Sequence, residues 1–372
     1  MGPMTAKVIN ALVKRGKGSE GNLLIILSNI RPVVRTLTIA TLLSMNIFSG
    51  YCQVTSADTI IATVEQFAKE IIYQDQDTNY IKSYSDKLSV KLLVLNKFNY
   101  FQLTDNNLNN SIRFRPDLGI NLGIGIAYKG LALDLSANFG LKENQIDNTD
   151  YRDFQIKAFS SKHYLRGRYQ YYSGYKIEYS GGFDLDLSDE EKNRPDIRTI
   201  QLGLQYLYVF NHGKFSLRAP FVQNEHQRKS AGSLLAGGGF HLYNLDADSS
   251  LVTKEMEPYF NGKLYYSQLN VATLSVSLGY IYTFVIGKRY FITLGLIPGF
   301  GVNSGDYRTE FREPFKTHFT YRIKTMNAIG YNGKKFYTGI QVIGGYYPLT
   351  LDKKLKTYIT EGRANFFLGY RF

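Results

Sequence analysis

Charged and amide side chains recur at even positions between residues 162 and 186, whereas most odd positions there are apolar or aromatic. This alternation is typical of a β-strand with one polar and one apolar face. If the apolar face contacts lipid, the polar face points into an enclosed interior, and the last ten residues repeat the pattern. The predicted interior-facing residues are Arg166, Arg168, Lys176, Glu178, Asp184, Asp186, Arg363 and Arg371.

Two interpretations of this charged interior are open. The cationic and anionic side chains could pair with one another, since charges in a confined space need partners. The interior could instead be a hydrated passage, in which rings of arginine favour anions. Alternation alone does not distinguish a filled interior from an open one.

The five histidines form no familiar catalytic pattern. The sequence contains no HExxH, no zinc-deaminase pattern and no G-x-S-x-G. His226 follows Glu225 and precedes Ser230, which leaves an outer-membrane lipid-modifying hydrolase as an alternative function. His212 stands in an Asn-His-Gly run that is ordinary turn chemistry. We therefore expect a non-enzymatic protein without a cofactor, a metal or a catalytic residue.

The composition favours many strands joined by turns, with 30 Tyr, 24 Phe and 34 Gly against 9 Pro. The formal net charge of +13 suits anionic lipid headgroups or anionic solutes. After residue 52 there is no dense basic run with interleaved aromatics, so we expect no nucleic-acid partner. The single cysteine, Cys52, excludes an internal disulfide framework and a cysteine-based metal cluster.

Residues 1–52 are predicted to be a cleaved signal region. An apolar run over residues 37–48 follows Arg31 and Arg35 and precedes small residues, which is the pattern of a secretory signal. We expect cleavage near Cys52, because the run is too short to span a bilayer. A lipidated Cys52 is an alternative, although Tyr51 stands where a lipobox prefers Gly or Ala. An upstream start-site error would explain the long stretch before the run.

Residues 53–86 are predicted to be a periplasmic segment containing an amphipathic helix. The helix is expected over residues 58–73, where apolar residues follow the 3.6-residue period, with Ser56 as its N-cap. Such a helix could pack near the mouth of a barrel. It could also act as a plug or dock a partner.

From residue 87 to 372 the hydrophobic period is two, which predicts an outer-membrane β-barrel domain. The alternation is clearest in residues 120–128, 131–139, 200–208, 274–284 and 336–344. Short turns are expected near residues 129, 161, 212, 287 and 333. Longer polar connections are expected at 103–111, 142–152, 187–198, 224–231, 304–318 and 348–361. With one strand hidden in 246–270, this gives an antiparallel transmembrane barrel of about 14 strands, with about 12 as the alternative.

The final strand distinguishes a membrane barrel from a secreted soluble β-sandwich. Phe366, Leu368, Tyr370 and Phe372 share one face, which is similar to the signal that the barrel-assembly machinery reads. The last residues of a soluble protein are usually polar and frayed. We therefore expect outer-membrane lipid and the assembly machinery as partners. The sequence leaves the oligomeric state open.

Several segments resemble a family of outer-membrane proteins of Bacteroidetes, domain-of-unknown-function family 4421. They are residues 77–81, 115–129, 194–196, 211–219, 227–233 and 279–283, and the 227–233 run is the most distinctive. The resemblance spans nearly all of the chain after the signal and implies the outer membrane of a Gram-negative bacterium. It implies no activity, so a narrow channel and a structural or partner-binding barrel both remain open.

Overall fold

The structure is a computed structural model that describes residues 76–84, 86–128, 131–138, 149–183, 187–188, 190–350 and 355–372. The predicted signal region, the helix predicted over residues 58–73 and the turn at residues 129–130 lie outside the described residues. Asp184 and Asp186, two of the predicted interior residues, also lie outside them.

The described chain is built of antiparallel strands. They are β1 (Ile81–Ser83), β2 (Ser89–Asp105), β3 (Asn110–Arg115), β4 (Ile120–Tyr128), β5 (Leu131–Asn138), β6 (Asp150–Phe159), β7 (His163–Gly181), β8 (Asn193–Val209), β9 (Glu225–Gln227), β10 (Ala231–Asp246), β11 (Gln268–Ile286), β12 (Tyr290–Arg308), β13 (Arg312–Asn332), β14 (Phe336–Thr350) and β15 (Leu355–Arg371). A four-residue helix, α1 (Arg218–Phe221), and two 3-10 turns (Glu257–Tyr259 and Gly262–Leu264) complete the elements.

The sheet closes on itself. β15 pairs with β2 along its whole length, from Leu355 opposite Asp105 to Arg371 opposite Ser89. The closed circuit contains ten strands: β2, β3, β7, β8 and β10 to β15. β4 and β5 extend from the first half of β2, and β6 pairs with β7. Closure gives the backbone groups of the first and last wall strands partners within the sheet.

Two segments that the prediction of about 14 strands treated as wall are not strands of the barrel wall. Residues 246–270, expected to hide a strand, contain the two 3-10 turns. Residues 215–223, which lie between the turn expected near 212 and the connection expected at 224–231, contain α1. Both segments instead bury apolar side chains in the lumen, Phe215 and Leu217 in one and Leu251 and Leu264 in the other.

The outer face of the barrel is apolar. On β11 the even positions from Leu274 to Ile286 point outward, and Val276 is 68% exposed. The odd positions between them, such as Ser275 and Thr283, are buried inside. No helix among the described residues is both long enough and apolar enough to cross a membrane.

An insert between β8 and β10, residues 210–230, lies at the end of the barrel that carries the short turns at 287–289 and 333–335. We call it the turn plug. Its Phe215, Leu217 and Phe221 are buried in one apolar cluster with side chains from β7, β8 and β11 to β14. β9 of the plug pairs with β1, which precedes the barrel. The plug therefore fills the lumen at this end.

A second insert, residues 247–267 between β10 and β11, lies at the opposite end, and we call it the loop cap. Its buried residues include Leu251, Met256 and Leu264. They form one apolar cluster with inward residues of β2, β3, β7, β8 and β10 to β15. The hydroxyl of Tyr266 lies 2.6 Å from the hydroxyl of Thr357 on the inner face of β15. The cap fills the second end of the lumen.

Candidate functional site

A polar chamber lies in the lumen between the loop cap and the turn plug, with a cavity of about 80 Å³. Strand alternation points the inward residues of β2, β6, β7, β8 and β10 to β15 into it. Its charged lining residues are Lys97, Lys157, Arg166, Arg168, Arg322, Lys324, Arg363, Asp153 and Glu361. With seven cations and two carboxylates, the chamber is strongly positive, and we call it the cationic chamber.

Both carboxylates of the cationic chamber are already paired. Arg168 on β7 donates from Nη1 to Glu361 on β15. Lys97 on β2 lies 3.1 Å from Asp153 on β6. Each pair joins two strands that are not hydrogen-bonded neighbours in the sheet.

The ion pair of Arg168 belongs to a larger network. Its Nη2 lies 2.8 Å from Nε2 of His241, and the hydroxyl of Tyr347 lies 3.1 Å from the same nitrogen. The guanidinium of Arg322 lies over the ring of Tyr347, 4.2 Å from its centroid. Gly203 stands beside Arg168, where an added Cβ would come within 2.9 Å of its Nε. Because glycine has no side chain, the guanidinium of Arg168 fits against the backbone at this position.

Five cations of the chamber have no ion pair among the described residues: Lys157, Arg166, Arg322, Lys324 and Arg363. Lys324 donates to Oε1 of Gln205 and lies 4.8 Å from the ring centroid of Tyr164. Nε of Arg166 is buried and has no hydrogen-bond partner within the described part of the chain. More cations than carboxylates therefore face the cavity.

Arg166, Arg168 and Arg363, predicted from alternation to face the interior, line the cationic chamber. Arg371 also points inward, but it lies at the turn plug, where it is fully buried. It donates to the carbonyl oxygens of Gln223 and Gly333 and stacks between the rings of Tyr84 and Tyr337. Arg371 is thus an anchor of the plug.

The structure corrects the prediction for Lys176 and Glu178, which lie on the outer face. The register of β7 against β8 shifts between Ser173 and Tyr175. Gly174 between them has a φ of 82°, which suits glycine. This bulge reverses the parity, so Tyr175 and Ile177 are buried. Glu178 pairs instead with Arg115 at 2.7 Å, with both side chains exposed.

The predicted assembly-signal residues are outward along the end of β15. Phe366, Leu368 and Phe372 are exposed, and Tyr370 is half-buried against the rings of Phe336 and Phe372. This is the arrangement that the alternation predicted for one face of the strand.

Sequence reasoning missed five charged residues of the chamber: Lys97, Lys157, Arg322, Lys324 and Glu361. Each stands at an inward position of its strand. The same two-residue alternation that was recognised in residues 274–284, if followed through β2, β6 and β13, would have placed these four cations on the inward face. Glu361 lies two residues before Arg363 and has the same parity.

His226 does not form a catalytic arrangement with its neighbours. It pairs with Lys82 in the β1–β9 ladder, and successive strand residues point to opposite faces. Glu225 is buried in a 3.1 Å ion pair with Arg218 of α1. The hydroxyl of Ser230 accepts a hydrogen bond from the backbone N–H of Val285. Glu225 and Ser230 therefore each contact a partner other than His226.

A family model described as Domain of unknown function (DUF4421) matches residues 75–372. Among solved structures, the outer membrane protease OmpT from Escherichia coli is similar with a TM-score of 0.35 and 7% identity, over 78% of this chain and 98% of that chain. The translocator domain of autotransporter NalP from Neisseria meningitidis has a TM-score of 0.33 and 15% identity, over 85% and 98%. A search of curated protein sequences gave no match.

Proposed function

Because this chain belongs to the family Domain of unknown function (DUF4421) and folds as a closed antiparallel barrel, we propose that it is a non-enzymatic outer-membrane barrel with a closed lumen. It serves binding or envelope structure and gives solutes no free passage. The observation that carries this proposal is the filling of the lumen at both ends by the turn plug and the loop cap.

The apolar outer face supports a membrane location. A soluble protein rarely exposes a continuous apolar patch of more than a few hundred Å². Here exposed aliphatic residues encircle the middle of the barrel, while the charged side chains of the chamber point inward. The belt contains Leu92, Val94, Ile124, Ile126, Ile156, Leu202, Leu204, Leu274, Val276, Leu278, Leu294, Leu296, Ile323, Ile340, Val342 and Leu368.

Aromatic residues border this belt, as they do at membrane interfaces. At the short-turn end, Tyr290 contacts Tyr331, with ring centroids 5.3 Å apart. Toward the opposite end, Tyr346 stacks on Tyr358 at 5.5 Å, and Tyr321 contacts Tyr346. On β13, Tyr321 and Tyr331 are ten residues apart, or about 34 Å along the strand. A strand tilt of about 40° reduces this to about 25 Å, the height of an outer-membrane apolar band.

Binding or structure is favoured over a channel because each insert is held by polar contacts as well as apolar packing. Nε2 of Gln341 donates to the carbonyl oxygen of Pro220 in the plug at 2.8 Å. The N–H of Asn261 in the cap donates to Asp105 on β2 at 3.0 Å. An open passage would require both inserts to leave the lumen.

We also propose that the barrel has two partners and no catalytic role. Lipid surrounds the aliphatic belt, and the barrel-assembly machinery reads the outward residues Phe366, Leu368, Tyr370 and Phe372 during insertion. The separate engagement of His226, Glu225 and Ser230 supports a non-enzymatic role over a lipid-modifying hydrolase.

The test combines heat-modifiability with conductance. Detergent-extracted protein is run on a gel with and without boiling, and the folded form is then placed in a planar bilayer. We expect a mobility shift without stable current steps. Stable steps would overturn the closed lumen, and a band that boiling does not shift would overturn the membrane barrel itself.

A further inference from the structure

The cationic chamber has a surplus of positive charge that its own walls do not neutralise. Its two carboxylates each form one ion pair, Asp153 with Lys97 and Glu361 with Arg168. Asp134, a further carboxylate within electrostatic range of Lys157 and Arg363, is itself paired with Lys91 at 3.0 Å. Five cations around one cavity are left without an ion pair among the described residues.

These five cations repel one another. Arg166 lies within electrostatic range of Lys157, Lys324 and Arg363. Inside a barrel closed at both ends, repulsion is screened much less than on a protein surface. Buried charges are normally paired or hydrogen-bonded, because the loss of hydration is otherwise expensive. A negative group in the cavity would offset this repulsion.

We propose that the cationic chamber binds a small multivalent oxyanion of the phosphate class. Arg166, Arg322 and Arg363 supply planar guanidinium groups, whose paired N–H donors match two oxygens of one anion. Lys157 and Lys324 place two further amino groups at the same cavity. The inference rests on the closed barrel of the proposed function, since closure is what desolvates the cations.

The size of the cavity limits the ligand. A water molecule needs about 10 to 15 Å³ of such space, so about 80 Å³ accommodates a few waters or one small anion. The glycines Gly203, Gly239 and Gly345 leave the wall bare where larger side chains would fill it. Polymers and lipid chains do not fit between the loop cap and the turn plug.

The experiment compares thermal stability of the folded full chain with and without the anion. Wild type, Arg363→Gln and Arg322→Gln are unfolded in urea and refolded in detergent in chloride buffer, with or without inorganic phosphate or diphosphate at constant ionic strength. The temperature at which the heat-modifiable band is lost is recorded. Arg115→Gln is the matched control, because it removes one arginine from the outer face.

We expect diphosphate or phosphate to raise the transition temperature of wild type and of Arg115→Gln, with at least a tenfold weaker apparent affinity in Arg363→Gln and Arg322→Gln. In chloride alone, the two chamber variants are expected to be at least as stable as wild type, because each relieves repulsion. A purely structural arginine would lower stability in both buffers.

Three outcomes would overturn the anion site: no response of wild type to either anion, the same response in all four proteins, or chamber variants less stable than Arg115→Gln in chloride. If Arg363→Gln fails to refold, Arg322→Gln gives the comparison. Conductance of the same samples separates the two proposals. A silent barrel without an anion response overturns only the site, whereas current steps overturn the closed barrel.

Discussion

Nε of Arg371 donates to the backbone carbonyl oxygen of Gln223 at 3.0 Å, which ties the last wall strand to the turn plug. Gln223 has a φ of 66°, in the left-handed region that non-glycine residues rarely adopt. The contact therefore holds a strained backbone position in place. It fastens the plug to the barrel wall.

Replacing Arg371 should loosen the plug. Arg371→Ala leaves two carbonyl oxygens and the amide oxygen of Asn332 without their donor, and we expect a loss of about 3 kcal/mol in the free energy of unfolding. The measurement is the urea concentration at which the heat-modifiable band disappears. Lys334→Ala, an exposed cation at the same end, is the control. Equal midpoints for the two variants would contradict the anchoring role.

Removing the loop cap alone should leave the barrel closed. If residues 250–264 are replaced by a short Gly-Ser turn, the turn plug still fills the other end, so a planar bilayer should show no stable current. Adding Arg371→Ala to this deletion should produce current steps, because both seals are then weakened. Steps from the cap deletion alone would show that the plug does not seal.

Because β7 has a bulge at Gly174, replacing this glycine should destabilise the barrel more than replacing Gly167 of the same strand. Gly174 has a φ of 82°, so Gly174→Ala should cost about 1 kcal/mol in the free energy of unfolding. At Gly167 an added Cβ has open space around it, so Gly167→Ala should be nearly neutral. Urea titration of both variants in the same detergent provides the comparison, and a larger cost at Gly167 would refute this account.

The outer belt predicts a position-dependent effect of charge. Leu278 lies near the middle of β11 and points outward, so Leu278→Arg should cost about 2 to 4 kcal/mol in a bilayer. Phe311→Arg changes an exposed residue of the β12–β13 turn and should cost little. The yield of folded barrel in lipid vesicles measures both. If the two yields are alike, β11 does not face lipid.

Acidification should weaken the plug through His226. Burial, and then the charge of Arg371, lower the pKa of His226 from its usual 6.5. Because the unfolded chain takes up the proton first, stability is unaffected well above pH 6.5 and falls as the pH drops below that value. Urea midpoints between pH 8 and 5 test this. In His226→Gln the dependence should be smaller, and an unchanged slope would contradict it.

The sequence predicted the wall better than the contents of the lumen. Alternation over residues 274–284 and 366–372 identified the outward faces. In a wall strand with one face in contact with lipid, the apolar positions of the two-residue period are the outward ones. Alternation failed at the turn plug, where Phe215, Leu217, Ala219 and Phe221 follow the same period and are all buried. An insert that packs in the lumen and a wall strand share this pattern.

The candidate site was only partly predictable for a related reason. Arg166, Arg168 and Arg363 followed from parity, but parity gave the wrong face for Lys176 and Glu178, since the bulge at Gly174 is marked by a single glycine among many. The chamber forms only because strands that are far apart in the sequence bring their inward side chains together in the lumen. Arg168 and Glu361 are 193 residues apart, and no local pattern relates them.

The pairing of β1 with β9 also constrains the order of assembly. Tyr80 and Gln227 contact each other across 147 residues, whereas most wall strands pair with their neighbours along the chain. Contacts between residues far apart in the sequence form late, because closing a long loop loses chain entropy before the contact contributes any stability. The closing pair of the wall, β15 with β2, joins residues that are farther apart still, from Leu355 opposite Asp105 to Arg371 opposite Ser89. By the same reasoning the plug should seat before the wall closes, so the barrel would close around a lumen that is already sealed at this end.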